Sequence, residues 1–107
     1  MTLKLNGIEV DCVIGELPDE RDRLQRLLVD VELEIPSAAA ETDSLSDTVD
    51  YAALAERIRS ALVAAKCRMI ERAAKVVYDC LPTSAARVVV TKAGVVPGLD
   101  SASVVYP

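Results

Sequence analysis

A chain of 107 residues fits one compact domain, so residues 1–107 are expected to form a single unit without a linker. Although 51% of the residues are hydrophobic, no uncharged apolar run approaches the roughly 20 residues of a membrane helix, and a net charge of −5 without a basic run argues against nucleic acid as a partner. The absence of histidine removes the commonest zinc ligand, the Ser–His and Cys–His nucleophile pairs and the usual base near neutral pH, which leaves Lys, Tyr, Glu and Asp for any catalysis.

The N-terminal residues enter an alternating pattern at once, without the basic start and apolar stretch of a signal peptide, and a cytoplasmic protein is expected. From Leu3 to Ile14 the alternation puts Ile8, Val10, Cys12 and Ile14 on one face of a strand and Glu9 and Asp11 on the other; Asn6-Gly7 shifts the phase, as a bulge does. An acidic turn region, Gly15 to Asp22, leads to a second, antiparallel strand in which Val29, Val31, Leu33 and Ile35 oppose Asp30, Glu32 and Glu34. Pro36 to Thr48 has the small, polar composition of a loop. Asp50 is then placed to cap a helix beginning near Tyr51, with Leu54, Ile58, Ala61 and Leu62 at helical spacing. After a break around Lys66 to Arg68, a second helix carries the stripe Ile70, Ala73, Ala74, Val77 and Leu81, and Pro82 is expected to end it.

Arg87 to Lys92 is a β-branched run, Ala93 to Asp100 reads as a turn through Gly94, Pro97 and Gly98, and Ser101 to Tyr106 is a last strand. The order is ββααββ, an α+β chain with a four-stranded antiparallel sheet and two helices on one face. Four strands do not close a barrel, and a lone subunit would expose sheet edges and apolar surface, so ring-like self-assembly is expected. Cys12, Cys67 and Cys80 are scattered and odd in number, which favours reduced, buried thiols over a disulfide framework or a thiolate metal cage.

Several short motifs then stand in a telling order: Asn6-Gly7-Ile8, Val13-Ile14-Gly15, Glu20-Arg21, Gln25 before Leu28-Val29-Asp30-Val31, Asp47-Thr48-Val49-Asp50-Tyr51, Met69-Ile70-Glu71-Arg72 and Thr91-Lys92. From about Leu3 to Val105 this pattern resembles the dihydroneopterin aldolase family and its close relative, dihydroneopterin triphosphate epimerase. The resemblance implies the tunnelling fold (T-fold), in which subunits join their sheets into a tetrameric, ring-shaped barrel and two rings commonly stack into an octamer. Other enzymes of that fold hold zinc through histidine-containing sites, which this chain does not have.

The activity implied is that of a carbon–carbon lyase, an aldehyde-lyase of folate biosynthesis. It cleaves 7,8-dihydroneopterin by a retro-aldol reaction to 6-hydroxymethyl-7,8-dihydropterin and glycolaldehyde, with C2' epimerisation as a side activity. The reduced ring already holds a C=N bond beside the breaking bond, so neither a Schiff base nor a metal or other cofactor is required. By resemblance, Glu71 anchors the pyrimidine edge of the pterin through two parallel hydrogen bonds, with backbone at Ile70 adding a contact. Lys92 is the catalytic lysine that moves protons through water. Tyr51 reaches into a neighbouring subunit's pocket to protonate carbon and pack near the ring, and Glu20 orients water or the side-chain hydroxyls.

Taken as bare residues, each also has a plainer role: Glu71 as a carboxylate at a helix N-terminus, Lys92 as a strand-end lysine, Tyr51 as a half-buried aromatic, Glu20 as one more solvated acid beside Glu16, Asp19 and Asp22. Arg21 and Arg72 read as ion-pair or interface residues, and Tyr78 and Tyr106 as packing. The chain departs from the family at Ala93, where proline is usual, at Asp19, often aromatic, and at its Val105-Tyr106-Pro107 ending. Two alternatives remain on these residues: a triphosphate epimerase, for which a cationic pocket is expected, and a ring that binds pterin without catalysis.

Overall fold

Alternation from the first residues becomes strand β1, Thr2–Cys12, in the computed structural model, which describes residues 1–107. It pairs antiparallel with β2, Gln25–Glu34, and the register slips between Leu5 and Ile8. That slip is the bulge expected at Asn6-Gly7. Gly7 takes φ 71°, and its N–H donates to Asp30 Oδ1 at 2.7 Å, which pins the extra residue to the neighbouring strand.

Strands β3, Ala86–Val96, and β4, Leu99–Tyr106, complete one antiparallel sheet in the order β1-β2-β3-β4. Leu27, Val29, Val31 and Leu33 of β2 and Val88 and Val90 of β3 are buried on a single face. The other face is charged: Lys4 meets Glu32 at 3.5 Å, and Arg26 meets Asp11 at 2.9 Å and Glu9 at 3.2 Å. Edge strands β1 and β4 each keep one unpaired side.

Three helices fill the long connection from β2 to β3. The first, α1, is the short Ala38–Thr42, and a 3-10 turn follows at Leu45–Asp47. Both lie where a plain loop was expected, and neither buries a residue, so no apolar periodicity announces them. Helix α2, Tyr51–Ala65, starts where Asp50 accepts the Ala53 N–H at 3.1 Å, the expected N-cap, and buries Leu54, Ile58 and Leu62 against the sheet. It ends at Lys66, which adopts the left-handed conformation with φ 46°.

Helix α3, Ile70–Tyr78, buries Ala73, Ala74 and Val77. It stops short of the end expected from Pro82: the N–H groups of Cys80 and Leu81 turn to the carbonyls of Val77 and Tyr78, tightening the last turn before the proline is reached. Tyr78 and Tyr106 pack edge to face with centroids 5.2 Å apart, in the packing role expected of them.

The segment from Ala93 to Asp100 also differs from expectation. Pairing continues through Ala93 opposite Ser101 and resumes at Val96 opposite Leu99, so the turn itself is only Pro97-Gly98. Proline followed by glycine at φ 80° suits a type II turn, whereas Gly94, at φ 72°, sits in a second bulge inside β3. No helix is long and apolar enough to cross a membrane.

Candidate active site

Strand parity sets the position of Lys92. It follows Val88 and Val90 on the helix-covered face of β3 and lies opposite Leu27 of β2. An alternation that buries valines therefore carries an amine into the edge of the core, where the side chain keeps only 14% exposure.

Glu20 meets it there. The residue belongs to a 3-10 turn, Pro18–Asp22, whose acidic sequence reads as solvated, yet Glu20 is the one buried charged residue in the chain. Its Oε2 accepts from Lys92 Nζ at 2.8 Å and from Gln25 Nε2 at 3.0 Å, while Oε1 accepts from the Leu17 N–H at 3.2 Å. These donors, the lysine foremost, hold the carboxyl down at about 2, against the opposing effect of burial. Gly15 closes the back of the arrangement: its φ is 131°, and a β-carbon there would overlap the Glu20 carboxylate.

Lys92 and Glu20 open onto a cleft of about 220 Å³ that Glu71 and Ile70 also line. Glu71 stands in the first turn of α3, exposed, and its carboxylate has no hydrogen-bond or ion-pair partner in the protein. Met69 caps that helix without a side-chain hydrogen bond, so the first-turn N–H groups add positive potential beside the free carboxylate. Val95, Val96 and Leu99 from the β3–β4 hairpin supply an apolar wall. At the rim, Arg68 pairs with Glu16 at 3.4 Å, both side chains more than half exposed.

The structure thus brings Lys92, Glu20, Glu71 and Ile70 to one cleft. Tyr51 does not join them: it is the first residue of α2, 62% exposed, and lines no part of this cavity. Arg21, expected as an ion-pair or interface residue, forms no ion pair: it donates to backbone carbonyls and has no carboxylate partner. Gln25 is the residue whose role the sequence did not disclose, although the signal was present. It occupies a core-facing position of β2, in phase with Leu27 and Val29, where an amide has to find buried partners, and it finds Glu20 and the Ile14 carbonyl. Nowhere do three His, Cys, Asp or Glu side chains converge in a metal-binding arrangement.

An ionised carboxylate clasping an amine beside a second, unpartnered carboxylate can grip a flat donor-edged heterocycle and move protons next to it. The family model described as dihydroneopterin aldolase matches residues 3–106. The chain belongs to that family.

Solved structures agree over nearly the whole length. A Vibrio cholerae O1 biovar El Tor protein assigned as a dihydroneopterin aldolase superposes with a TM-score of 0.92 at 25% identity, covering 99% of this chain and 94% of that one. The E. coli dihydroneopterin aldolase in complex with neopterin gives 0.91 at 25% identity, with 99% and 96% covered. A Burkholderia thailandensis dihydroneopterin aldolase bound to guanine gives 0.80 at 23% identity, with 99% and 88% covered, a likeness of fold. Among curated proteins, none matches the sequence. The four-stranded sheet with its helices is the T-fold subunit of this family, and the enzyme is an aldehyde-lyase, a dihydroneopterin aldolase of folate biosynthesis.

Proposed function

We propose that the cleft between Glu71 and the Lys92–Glu20 pair is where 7,8-dihydroneopterin is cleaved, residues 1–107 acting as one unit. The observation that carries this reading is the 2.8 Å contact between Lys92 Nζ and Glu20 Oε2 in the same cavity as a carboxylate without a protein partner. Neopterin in the E. coli relative supports a pterin ligand.

Glu71 accepts two parallel hydrogen bonds from the pyrimidine edge, which fixes the ring, and backbone at Ile70 adds a further contact. The triol side chain then lies toward Lys92. Through water, the Glu20 carboxylate, held by the Lys92 ammonium, takes the proton of the 2'-hydroxyl; the C1'–C2' bond breaks, glycolaldehyde leaves, and the bonding electrons pass into the C=N bond of the reduced ring. Lys92 steadies the ring nitrogen that receives them. Tyr51 of a neighbouring copy returns a proton to C1', so a lone subunit has an incomplete site. Since the ring stores the electron pair, the protein supplies only position and proton transfer, and no cofactor enters.

The exposed position of Tyr51 and the unpaired edges of β1 and β4 support assembly into a tetrameric ring or a stacked octamer. Rebinding of glycolaldehyde by its opposite face before release accounts for C2' epimerisation as a side activity, and the site is read as that of a cytoplasmic enzyme. The test is to incubate the purified protein with dihydroneopterin and, separately, with its triphosphate, and to separate the pterins by chromatography. Hydroxymethyldihydropterin and glycolaldehyde from the unphosphorylated substrate are expected; epimer alone, or no change, overturns the reading.

A further inference from the structure

We infer that Arg21 is a positioning residue for this reaction, a brace that fixes the Lys92–Glu20 pair relative to Glu71. The inference rests on the roles given to those three residues. The proton-handling and pterin-gripping carboxylates lie on segments with no strand pairing between them: Glu20 on the 3-10 turn after β1, Glu71 at the start of α3. Something has to set their separation, because a misplacement of about 1 Å at a reacting centre costs on the order of a hundredfold in rate.

The guanidinium of Arg21 spans that gap. Nη1 donates to the carbonyls of Gly15 at 2.9 Å and Cys67 at 3.1 Å, and Nη2 donates to the carbonyl of Lys66 at 2.7 Å. Gly15 belongs to the turn that presses against the Glu20 carboxylate. Lys66 and Cys67 form the break where α2 ends and the chain turns toward α3 and Glu71. Carbonyls at a helix C-terminus lack intrahelical donors and carry partial negative charge, so a cation that also donates hydrogen bonds suits them. The Gly15 N–H adds a parallel tie to the Cys67 carbonyl at 3.3 Å.

The choice of arginine follows from shape. Three carbonyls from two segments are met at once by a planar fork of fixed geometry; a lysine ammonium is a single point on a flexible stem and reaches one or two of them without fixing their spacing. Arg21 neither lines the cleft nor pairs with a carboxylate, so its influence runs through the backbone it holds.

The experiment compares Arg21→Lys and Arg21→Ala with the wild-type assembly, measuring kcat, KM and affinity for hydroxymethyldihydropterin. Arg21→Lys keeps the charge, and it is expected to lower kcat by roughly 10- to 100-fold while product affinity stays within about threefold, since Glu71 is untouched. Free guanidinium at tens of millimolar is expected to restore part of the kcat of Arg21→Ala, and an equal concentration of ammonium to restore none. In a Lys92→Ala background, Arg21→Lys should add no further loss, because both act on one step. Wild-type kcat in Arg21→Lys, parallel loss of kcat and product affinity, or additive losses in the double variant overturns the brace. Full turnover of Lys92→Ala alone would remove the reading beneath it, and that measurement is made separately.

Discussion

Replacing Glu20 by glutamine removes one charge while keeping the size and most of the hydrogen-bonding shape of the side chain. In the native protein the carboxyl is held at about 2 instead of its ordinary 4.5, chiefly by the Lys92 ammonium. At roughly 1.4 kcal/mol per pH unit that displacement corresponds to about 3 kcal/mol, and the opening of the pair onto a solvent cleft brings the expected loss in Glu20→Gln to about 2 to 3 kcal/mol at pH 7. The folded carboxyl is the stronger acid, so between its two pKa values the native state binds fewer protons than the unfolded chain. Its contribution is therefore complete above the ordinary carboxyl range and drains away as the pH falls toward 2. Urea denaturation of both proteins at one protein concentration, at pH 7 and at steps down to 2.5, measures the difference directly. The gap should close as the solution becomes acidic. Equal midpoints at pH 7, or a gap that stays constant from pH 6 to 2.5, would refute the assignment of an ionised Glu20 bound to Lys92.

Lys92→Ala should lower turnover roughly 100- to 10,000-fold with pterin affinity largely retained, the range for loss of an acid–base group, as stopped-flow and equilibrium titration would report. Glu71→Ala should instead weaken pterin binding by about 2 to 5 kcal/mol, because charge-assisted donors of the bound ring lose their acceptor; titration calorimetry showing less than a tenfold change counts against the anchor. If Tyr51 serves a neighbouring site, unfolding and reassembling a mixture of Tyr51→Phe and Lys92→Ala subunits should recover part of the activity that neither variant has alone, and recovery of none places both residues in one subunit's site. Gly15→Ala should reduce kcat at least tenfold with little change in product affinity, since its methyl group displaces the Glu20 carboxylate; wild-type kcat would show that the turn yields without moving the carboxylate.

Much of the fold is written in local pattern. Alternation around Val10 and Val29 gives the first two strands, Asp50 announces the start of α2, and the spacing of Leu54, Ile58 and Leu62 gives the face it buries. The misses have a common cause, which is that the signal was either weak or carried by the wrong residue type. Helix α1 buries nothing, so its alanines follow no apolar period, and the glycines and proline of 93–100 read as one loop although Gly94 marks a bulge and only Pro97-Gly98 makes the turn. The site divides in the same way. Lys92 and Glu71 are legible through the family resemblance, whereas their bare positions read as a strand-end lysine and a helix-start carboxylate; the covered face that receives Lys92 is defined only by the packed sheet. Glu20 is not legible from its neighbours: its burial depends on a lysine on β3, a glutamine on β2 and a glycine behind it, which only the tertiary structure brings together.

Charge at the cleft bears on which side chain the pterin carries. Within one subunit, Glu16, Glu20 and Glu71 line the cavity against Lys92 and Arg68, so its own carboxylates outnumber its own cations there. Neither cation is free, since Lys92 is committed to Glu20 and Arg68 faces Glu16 across the rim. A neutral trihydroxypropyl chain enters such a site without electrostatic cost, and its hydroxyls can donate to the acids. A triphosphate brings several negative charges toward a surplus of the same sign and gains a guanidinium only by prising it from Glu16, a solvent-screened pair whose rupture is easy but whose freed carboxylate then repels the ligand. On the proposed assignment of the site, the charges that line the subunit's cleft therefore favour an unphosphorylated pterin over its triphosphate.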